Sequence, residues 1–287
     1  AIESDRTEKE EQIDSLTKEQ VEQRTVDIYD TRNKIEGKYY RDEVLAQGVV
    51  LSSDGWIVAY RPDYRSGSYR SWEAVDHRGV VHEIEKSLYD PQSGMLYLYL
   101  GGDNFRVSGI ADWDDLDPAD ALWTVADWKR FVLDEKQKTG SREVYNLKEP
   151  IYSFKLPVDK KDASVVVNSS GELVGFLGEN GRVVPSWYVS AHMDDVLGGE
   201  ELSYDFPDTQ GIIINRFSRE DNRTETKTGF YITQTKSDQL KRGDIIIEIN
   251  GKPIKTKDLA RQIIGSSLPI NLKVISQEGT KQIKITN

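Results

Sequence analysis

Residues 48–58 read GVVLSSDGWIV, in which two apolar, β-branched runs flank the tetrapeptide SSDG. An Asp-Gly pair supplies the positive φ values that a tight hairpin turn requires. Residues 165–176, VVVNSSGELVGF, show the same pattern of two apolar runs on either side of turn residues. Further short strands at 72–84 and 95–100 are separated by turn residues. This spacing predicts two hairpins of an antiparallel barrel or sandwich, within an all-β protein.

Composition limits the class of protein before any motif is considered. The 287 residues suffice for two or three domains, and the net charge of -11 argues against binding to nucleic acid or to an anionic membrane. No run of eighteen apolar residues predicts a membrane-spanning helix. The absence of cysteine excludes disulfides and zinc-thiolate sites, and it fits either the cytoplasm or a bacterial envelope compartment. A first residue Ala1 rather than Met leaves room for a signal or membrane anchor upstream.

Three segments occur in an order that is similar to a known family. Residues 48–58, residues 90–91 (DP) with the apolar strand after them, and residues 166–175 resemble three segments of the HtrA/Deg branch of trypsin-like serine proteases. In that family these segments adjoin the catalytic histidine, aspartate and serine. The resemblance implies a mainly β fold, with a trypsin-like double β-barrel over residues 24–198, and it implies no cofactor.

The positions of the catalytic triad can be carried over from the same segments. The histidine position falls on Pro62, the aspartate position on Gly94 and the serine position on Asp162. Pro62 has no nitrogen that accepts a proton, and Gly94 has no carboxylate to orient an imidazole. A carboxylate at Asp162 would oppose the negative charge of a tetrahedral intermediate. The sequence therefore predicts a pseudoprotease that is not an enzyme.

A relocated catalytic group is the alternative from the enzyme class. Ser164 lies close to the expected nucleophile, and His77, His82 and His192 are available as bases. This alternative describes a divergent serine hydrolase. The acidic run at 112–117 lacks the loop glycine and the closing glutamate of a calcium-binding EF-hand, so no metal site is predicted there.

The C-terminal part resembles a second family. Residues 240–254, LKRGDIIIEINGKPI, are similar to the signature of PDZ domains, and the resemblance covers residues 199–287. PDZ domains bind extended peptides, commonly protein C-termini, by adding a strand beside one edge strand and placing a side chain in a pocket against a helix. The resemblance assigns this peptide-binding role to Gln210, Gly211, Ile212, Ile213, Ile214, Leu259 and Ile263.

Together these resemblances predict a binding or scaffolding protein. Its expected partners are peptides or protein C-termini, its expected location is a bacterial cell envelope, and the family resemblance implies a homo-oligomer. A structural subunit whose PDZ module serves only assembly is the remaining alternative. Residues 1–23 are rich in Glu, Gln and Lys with few apolar positions, which predicts a solvated helical arm.

Overall fold

Strands dominate the molecule, as the sequence predicted, and they form three sheets. The computed structural model describes residues 13–113, 115–117, 120–132, 145–147, 154–155, 164–178, 181–200, 202, 206–220, 223–254, 259–264 and 268–286. All pairs of neighbouring strands in these sheets are antiparallel.

The N-terminal segment begins with helix α1 (Ser15–Glu22), capped by the Asp14 carboxylate, which accepts a hydrogen bond from the Thr17 amide at 2.9 Å. Val21 on this helix is buried, and a Cβ added at Gly171 would lie 2.8 Å from the Val21 side chain. Within residues 15–22 the predicted helix is present and its side chains are largely accessible to solvent, except that Val21 packs on the turn at Gly171. Residues 1–12 lie outside the described residues.

The first sheet contains seven strands: β1 (Thr25–Asp30), β2 (Ala46–Val50), β3 (Trp56–Tyr60), β4 (Trp72–Asp76), β5 (Val81–Glu83), β6 (Lys86–Asp90) and β7 (Met95–Tyr99). Their order across the sheet is β5-β4-β1-β2-β3-β7-β6. Short 3-10 helices at Thr31–Asn33, Arg41–Glu43 and Ser68–Ser71 connect some of them.

The hairpin of β2 and β3 follows the sequence pattern, with Val49 opposite Val58. Its turn differs from the expected pair of positive φ values, because Gly55 has φ 106° while Asp54 is not in the left-handed region. The Ser52 hydroxyl instead donates to the Asp54 carboxylate and accepts from the Trp56 amide at 3.1 Å. Side-chain hydrogen bonds thus replace a second left-handed residue in closing this turn.

The second sheet contains six strands: β8 (Leu122–Thr124), β9 (Arg130–Phe131), β11 (Phe154–Lys155), β12 (Val165–Val167), β13 (Leu173–Gly178) and β14 (Arg182–Pro185). Their order is β11-β14-β13-β12-β8-β9. Strand β10 (Tyr145–Asn146) lies between β9 and β11 in the chain but joins the third sheet. In the predicted hairpin of β12 and β13, the Asn168 side chain accepts from the amides of Ser170 and Glu172, at 3.0 and 2.9 Å.

Strand β3 is buried along its whole length because it has a core on each side. Val58 joins a cluster of apolar side chains that both the first and the second sheet contribute. Its neighbours Ile57 and Ala59 face the opposite way, into a cluster formed within the first sheet. Successive residues of a strand point to opposite faces, so a continuous apolar run fits this doubly covered position.

Two short helices follow the second sheet, α2 (Trp187–Ala191) and α3 (Met193–Gly198). They are two helices because the chain breaks at His192, whose φ and ψ of -108° and 7° are not helical. Gly199 ends α3 with φ 67°, as expected of a C-terminal glycine. No helix in the described part of the chain is long and apolar enough to cross a membrane.

The third sheet is built from C-terminal strands: β15 (Thr209–Glu220), β16 (Arg223–Thr235), β17 (Ile245–Ile249), β18 (Lys252–Pro253), β19 (Ile270–Ser276) and β20 (Gly279–Ile285). Its order is β10-β15-β16-β17-β19-β20, with β18 beside β17. Asn250 and Gly251 have φ values of 49° and 76°, as the predicted tight turn requires. Helix α4 (Leu259–Ile264) packs on this sheet.

Candidate functional site

The structure brings two of the three carried-over triad positions into contact. The amide of Arg61, the residue before Pro62, donates to the Gly94 carbonyl at 2.8 Å. A Cβ added at Gly94 would lie 3.1 Å from both Cα and Cβ of Pro62. Gly94 has φ 75°, a conformation that side chains with a Cβ rarely adopt. Asp162, the third position, lies outside the described residues.

This contact lies where the first and second sheets meet. The ring of Tyr60, at the end of β3, would approach an added Cβ at Gly94 to 3.0 Å. The hydroxyl of the same ring would approach an added Cβ at Gly178, on β13, also to 3.0 Å. Tyr60 therefore fills the space between the two sheets beside Pro62 and Gly94.

Three titratable groups, Asp90, Tyr97 and His192, are buried next to this position. The fully buried Asp90 carboxylate accepts hydrogen bonds from the Ser93 hydroxyl and from the Gln92 amide. Burial lowers the pKa of His192, although the negative charge of Asp90 acts in the opposite direction. Burial raises the pKa of Tyr97 well above its usual value, and the Asp90 charge adds to that effect. At 3% exposure the His192 side chain has almost no contact with solvent, so it is poorly placed to meet a substrate.

The alternative nucleophile, Ser164, occupies an unsuitable environment for catalysis. Its side chain is buried, and its hydroxyl has no hydrogen-bond partner within the described ranges. An activated serine needs a base within hydrogen-bond reach. His77 is exposed, and the Nε2 of His82 lies 3.4 Å from a carboxylate oxygen of Asp76.

The acidic run at 112–117 lines part of a pocket with a volume of about 670 Å³. Carboxylates of Asp14, Asp112, Asp115 and Asp120 are among its lining groups. In the part of the chain that the structure describes, no three such side chains are grouped closely enough to hold a metal ion.

The predicted peptide-binding residues assemble around the first strand of the third sheet. Gln210 to Ile214 lie in β15, and the two predicted pocket residues, Leu259 and Ile263, are one turn apart on α4. Leu259 and Ile263 are 2% and 4% exposed and share an apolar cluster with Phe206. Ile213 packs against the edge of the same cluster. Strand and helix therefore contribute to one apolar cluster, and the space between β15 and α4 is called the groove below.

Backbone geometry explains why this strand carries a glycine. The pairing of β15 with β16 shifts register between Gln210 and Gly211, which marks a bulge. A Cβ at Gly211 would lie 2.3 Å from the Tyr231 carbonyl oxygen and 2.6 Å from the Phe230 ring. No side chain fits at this point of the strand.

The loop before β15 is held by an ion pair. The Asp208 carboxylate lies 2.7 Å from the Lys236 ammonium, and the Asp208 carbonyl accepts from the Lys236 amide at 2.9 Å. The Asp208 side chain raises the pKa of Lys236. Helix α4, the far wall of the groove, lies beside α2, which links the groove to the part of the chain that carries the first two sheets.

The outer edge of β15 is paired with a strand that sequence reasoning missed. β10 pairs antiparallel with β15, with Tyr145 opposite Gly211 and Asn146 opposite Gln210. The Leu147 amide donates to the Thr209 carbonyl at 2.8 Å. The sequence analysis assigned no element to residues 144–147, VYNL, although they carry a short strand-like signal.

Comparison with known proteins supports the architecture. The sequence matches no known family profile and no curated protein. Similar solved structures include the HtrA-type protease AlgW with a tripeptide, at 12% identity over 94% of this chain and 95% of that chain, with TM-score 0.57. Another is the same protease with a decapeptide, at 11% identity over 85% and 81%, with TM-score 0.53. At such identities the likeness shows the fold, which is that of HtrA-type proteases.

The prediction that this chain is not an enzyme is wrong, because the structures that share its fold are proteases. The prediction followed from three side chains alone. Pro62 and Gly94 do lie together, but they account for two positions only. Catalysis depends on the groups that surround a substrate, so replacements at these positions do not establish that activity is lost.

Proposed function

We propose that this chain is an HtrA-like peptide-binding protein that captures extended segments of partner proteins on the outer edge of β15. In this proposal, Gln210 to Ile214 provide backbone hydrogen bonds, as in other cases of strand addition. Leu259 and Ile263 receive an apolar side chain of the partner. The module around the third sheet acts as a PDZ domain.

One observation carries the proposal: a short strand pairs with the edge of β15, and the residue after it, Leu147, is buried in the same apolar cluster as two residues of α4. Pairing of β10 with β15 supports strand addition at this edge, and the burial of Leu147 in the cluster of Leu259 and Ile263 supports their role as receivers of an apolar side chain. The solved structures of AlgW contain peptides, which supports the same use of this fold.

The cellular part of the proposal rests on the family resemblance. We place the chain at a bacterial cell envelope, where it holds peptide or protein partners as a scaffold, and we expect it to form a homo-oligomer. Its acidic surface, with a net charge of -11, favours partners other than nucleic acid.

The binding test uses the full chain and a random eight-residue peptide library displayed on phage, followed by fluorescence anisotropy with the selected peptides. Ile213→Asp places a charge at the rim of the groove, and we expect it to weaken peptide binding at least tenfold. Ile275→Asp is the matched control, because Ile275 is a half-buried strand residue on β19, away from β15.

Saturable binding that Ile213→Asp weakens and Ile275→Asp leaves unchanged supports the proposal. Equal loss of peptide binding in both folded variants overturns the proposal. The proposal is also overturned if no peptide binds either to the wild-type chain or to a chain whose residues 145–147 no longer pair with β15. The last outcome would favour a module that serves assembly only.

A further inference from the structure

The strand that occupies the proposed groove belongs to the same chain. Tyr145 and Asn146 lie directly opposite Gly211 and Gln210, at the outer edge of the third sheet. The partners are more than sixty residues apart in the sequence, so this contact is not a local hairpin. β10 has the position and the antiparallel direction of a peptide added to an edge strand.

Leu147, the residue after β10, is placed like the apolar residue of a bound peptide. Its side chain is 1% exposed and belongs to the cluster that contains Leu259 and Ile263. Its amide is bonded to Thr209, at the start of β15. A ligand residue at this end of the strand is the one whose side chain enters the pocket against the helix.

The described residues of β10 pair with the start of the proposed peptide-binding strand. The register of β10 on β15 reaches Gly211, whereas the proposed peptide-binding strand continues to Ile214. An external peptide that is longer than β10 can pair with the additional residues of β15. Each such pair contributes hydrogen bonds to the bound peptide.

We propose that residues 145–147 are an internal ligand that an external peptide must displace, and that the groove selects internal segments carrying a leucine-sized side chain. This inference rests on the proposed function and adds the ligand class and the means of regulation. A tethered ligand has an effective concentration on the order of millimolar, so it competes strongly with free peptide. Binding of partners is then limited by release of β10.

The preference for an internal segment follows from residues 145–147, which occupy the groove, and from the ion pair of Asp208 with Lys236 in the loop before β15. The chain continues beyond Leu147 to Lys148, so the pocket accepts a residue that carries no terminal carboxylate. Asp208 lies just before the start of β15, where the carboxylate of a protein C-terminus would be held. The Lys236 ammonium at this point is already paired with the Asp208 carboxylate at 2.7 Å, so a terminal carboxylate would have to compete with Asp208 for that cation.

The absence of cysteine allows a clean test. In the double variant Asn146→Cys/Gln210→Cys, the two cysteines face each other in register, and a disulfide would hold β10 on β15. The control variant Asn271→Cys/Lys284→Cys joins opposite residues of β19 and β20, away from the groove. Both are prepared in full-length chain, oxidised and then reduced, and disulfide formation is verified by mass spectrometry.

The probe is a fluorescent peptide with the sequence of residues 142–149, amidated at its end. We expect the reduced Asn146→Cys/Gln210→Cys chain to bind it and the oxidised chain to show at least tenfold weaker binding, while the control variant binds equally in both states. A peptide with Asp in place of the leucine should bind roughly 10- to 100-fold more weakly, given the value of burying a leucine side chain. A peptide ending in a free carboxylate at the leucine should bind no better than the amidated one.

The two proposals fail in different ways. Equal peptide binding by the oxidised and reduced groove variant overturns the internal ligand, while leaving a binding protein. Tighter binding of the free-carboxylate peptide overturns the preference for internal segments. If the reduced variant binds neither these peptides nor any library peptide, the proposed function itself fails.

Discussion

The contact between Pro62 and Gly94 can be tested by the substitution Gly94→Ala. Gly94 has φ 75°, and an added Cβ would lie 3.0 Å from the Tyr60 ring and 3.1 Å from Pro62. The left-handed backbone costs an alanine about 1–2 kcal/mol. Forcing an extra methyl group against packed neighbours costs about 1–3 kcal/mol more.

The control is Gly79→Ala, which separates these two contributions. Gly79 has φ 78° in the turn between β4 and β5, and no atom lies within 4 Å of an added Cβ. It therefore carries the backbone cost without the contact. Urea unfolding followed by tryptophan fluorescence gives the free energy of unfolding of both variants. We expect Gly94→Ala to lose about 1–3 kcal/mol more than Gly79→Ala. Equal losses would refute the placement of Gly94 against Pro62 and Tyr60.

Three further predictions concern stability. Burial raises the pKa of Asp76, but hydrogen bonds from Arg78 and neighbouring amides outweigh it and hold the pKa at about 2. The ionised carboxylate then contributes about 2 kcal/mol to the free energy of unfolding above pH 4, and this contribution is lost as the pH falls toward 2. The free energy of unfolding of Asp76→Asn should therefore be lower than that of the wild type by about 2 kcal/mol at pH 7, and the two should converge in acid. Because burial lowers the pKa of His192, the folded state resists its protonation, so the melting temperature should fall as the pH drops below about 6.5. That slope should flatten in His192→Gln, and an unchanged slope would contradict the assignment. Val21→Ala should lower the free energy of unfolding by roughly 2 kcal/mol, because α1 packs through this side chain. Leu16→Ala is the control, and it should change the free energy of unfolding little in the same urea titration because Leu16 is exposed. Equal small effects of the two substitutions would mean that α1 does not pack on the rest of the chain.

Local chemistry explains what the sequence could predict. The runs around Gly55 and Gly171 predict their hairpins because a strand pattern and turn residues occur together within a dozen positions. Asn250 and Gly251 predict their turn for the same reason, since two positive φ values are needed and these residue types tolerate them. The mainly β fold follows from the number of such local signals.

Contacts between distant segments escaped the sequence. Val21 looks like an isolated apolar residue in a polar helix until the turn at Gly171 is placed against it. Residues 145–147 form a strand only because β15 offers an unpaired edge, and two residues of pattern are too few to predict pairing. The adjacency of Pro62 and Gly94 required a family comparison, since proline and glycine carry no chemical signal of a site.

The central claim is that the groove between β15 and α4 binds peptides, and methyl NMR tests it most directly. The full chain is labelled at isoleucine δ1 methyl groups and titrated with a peptide selected from the library. We predict shifts at Ile213 and Ile263, on the two walls of the groove, with no change at Ile57 in the first sheet. Shifts confined to the first two sheets, or none at saturating peptide, would contradict the claim.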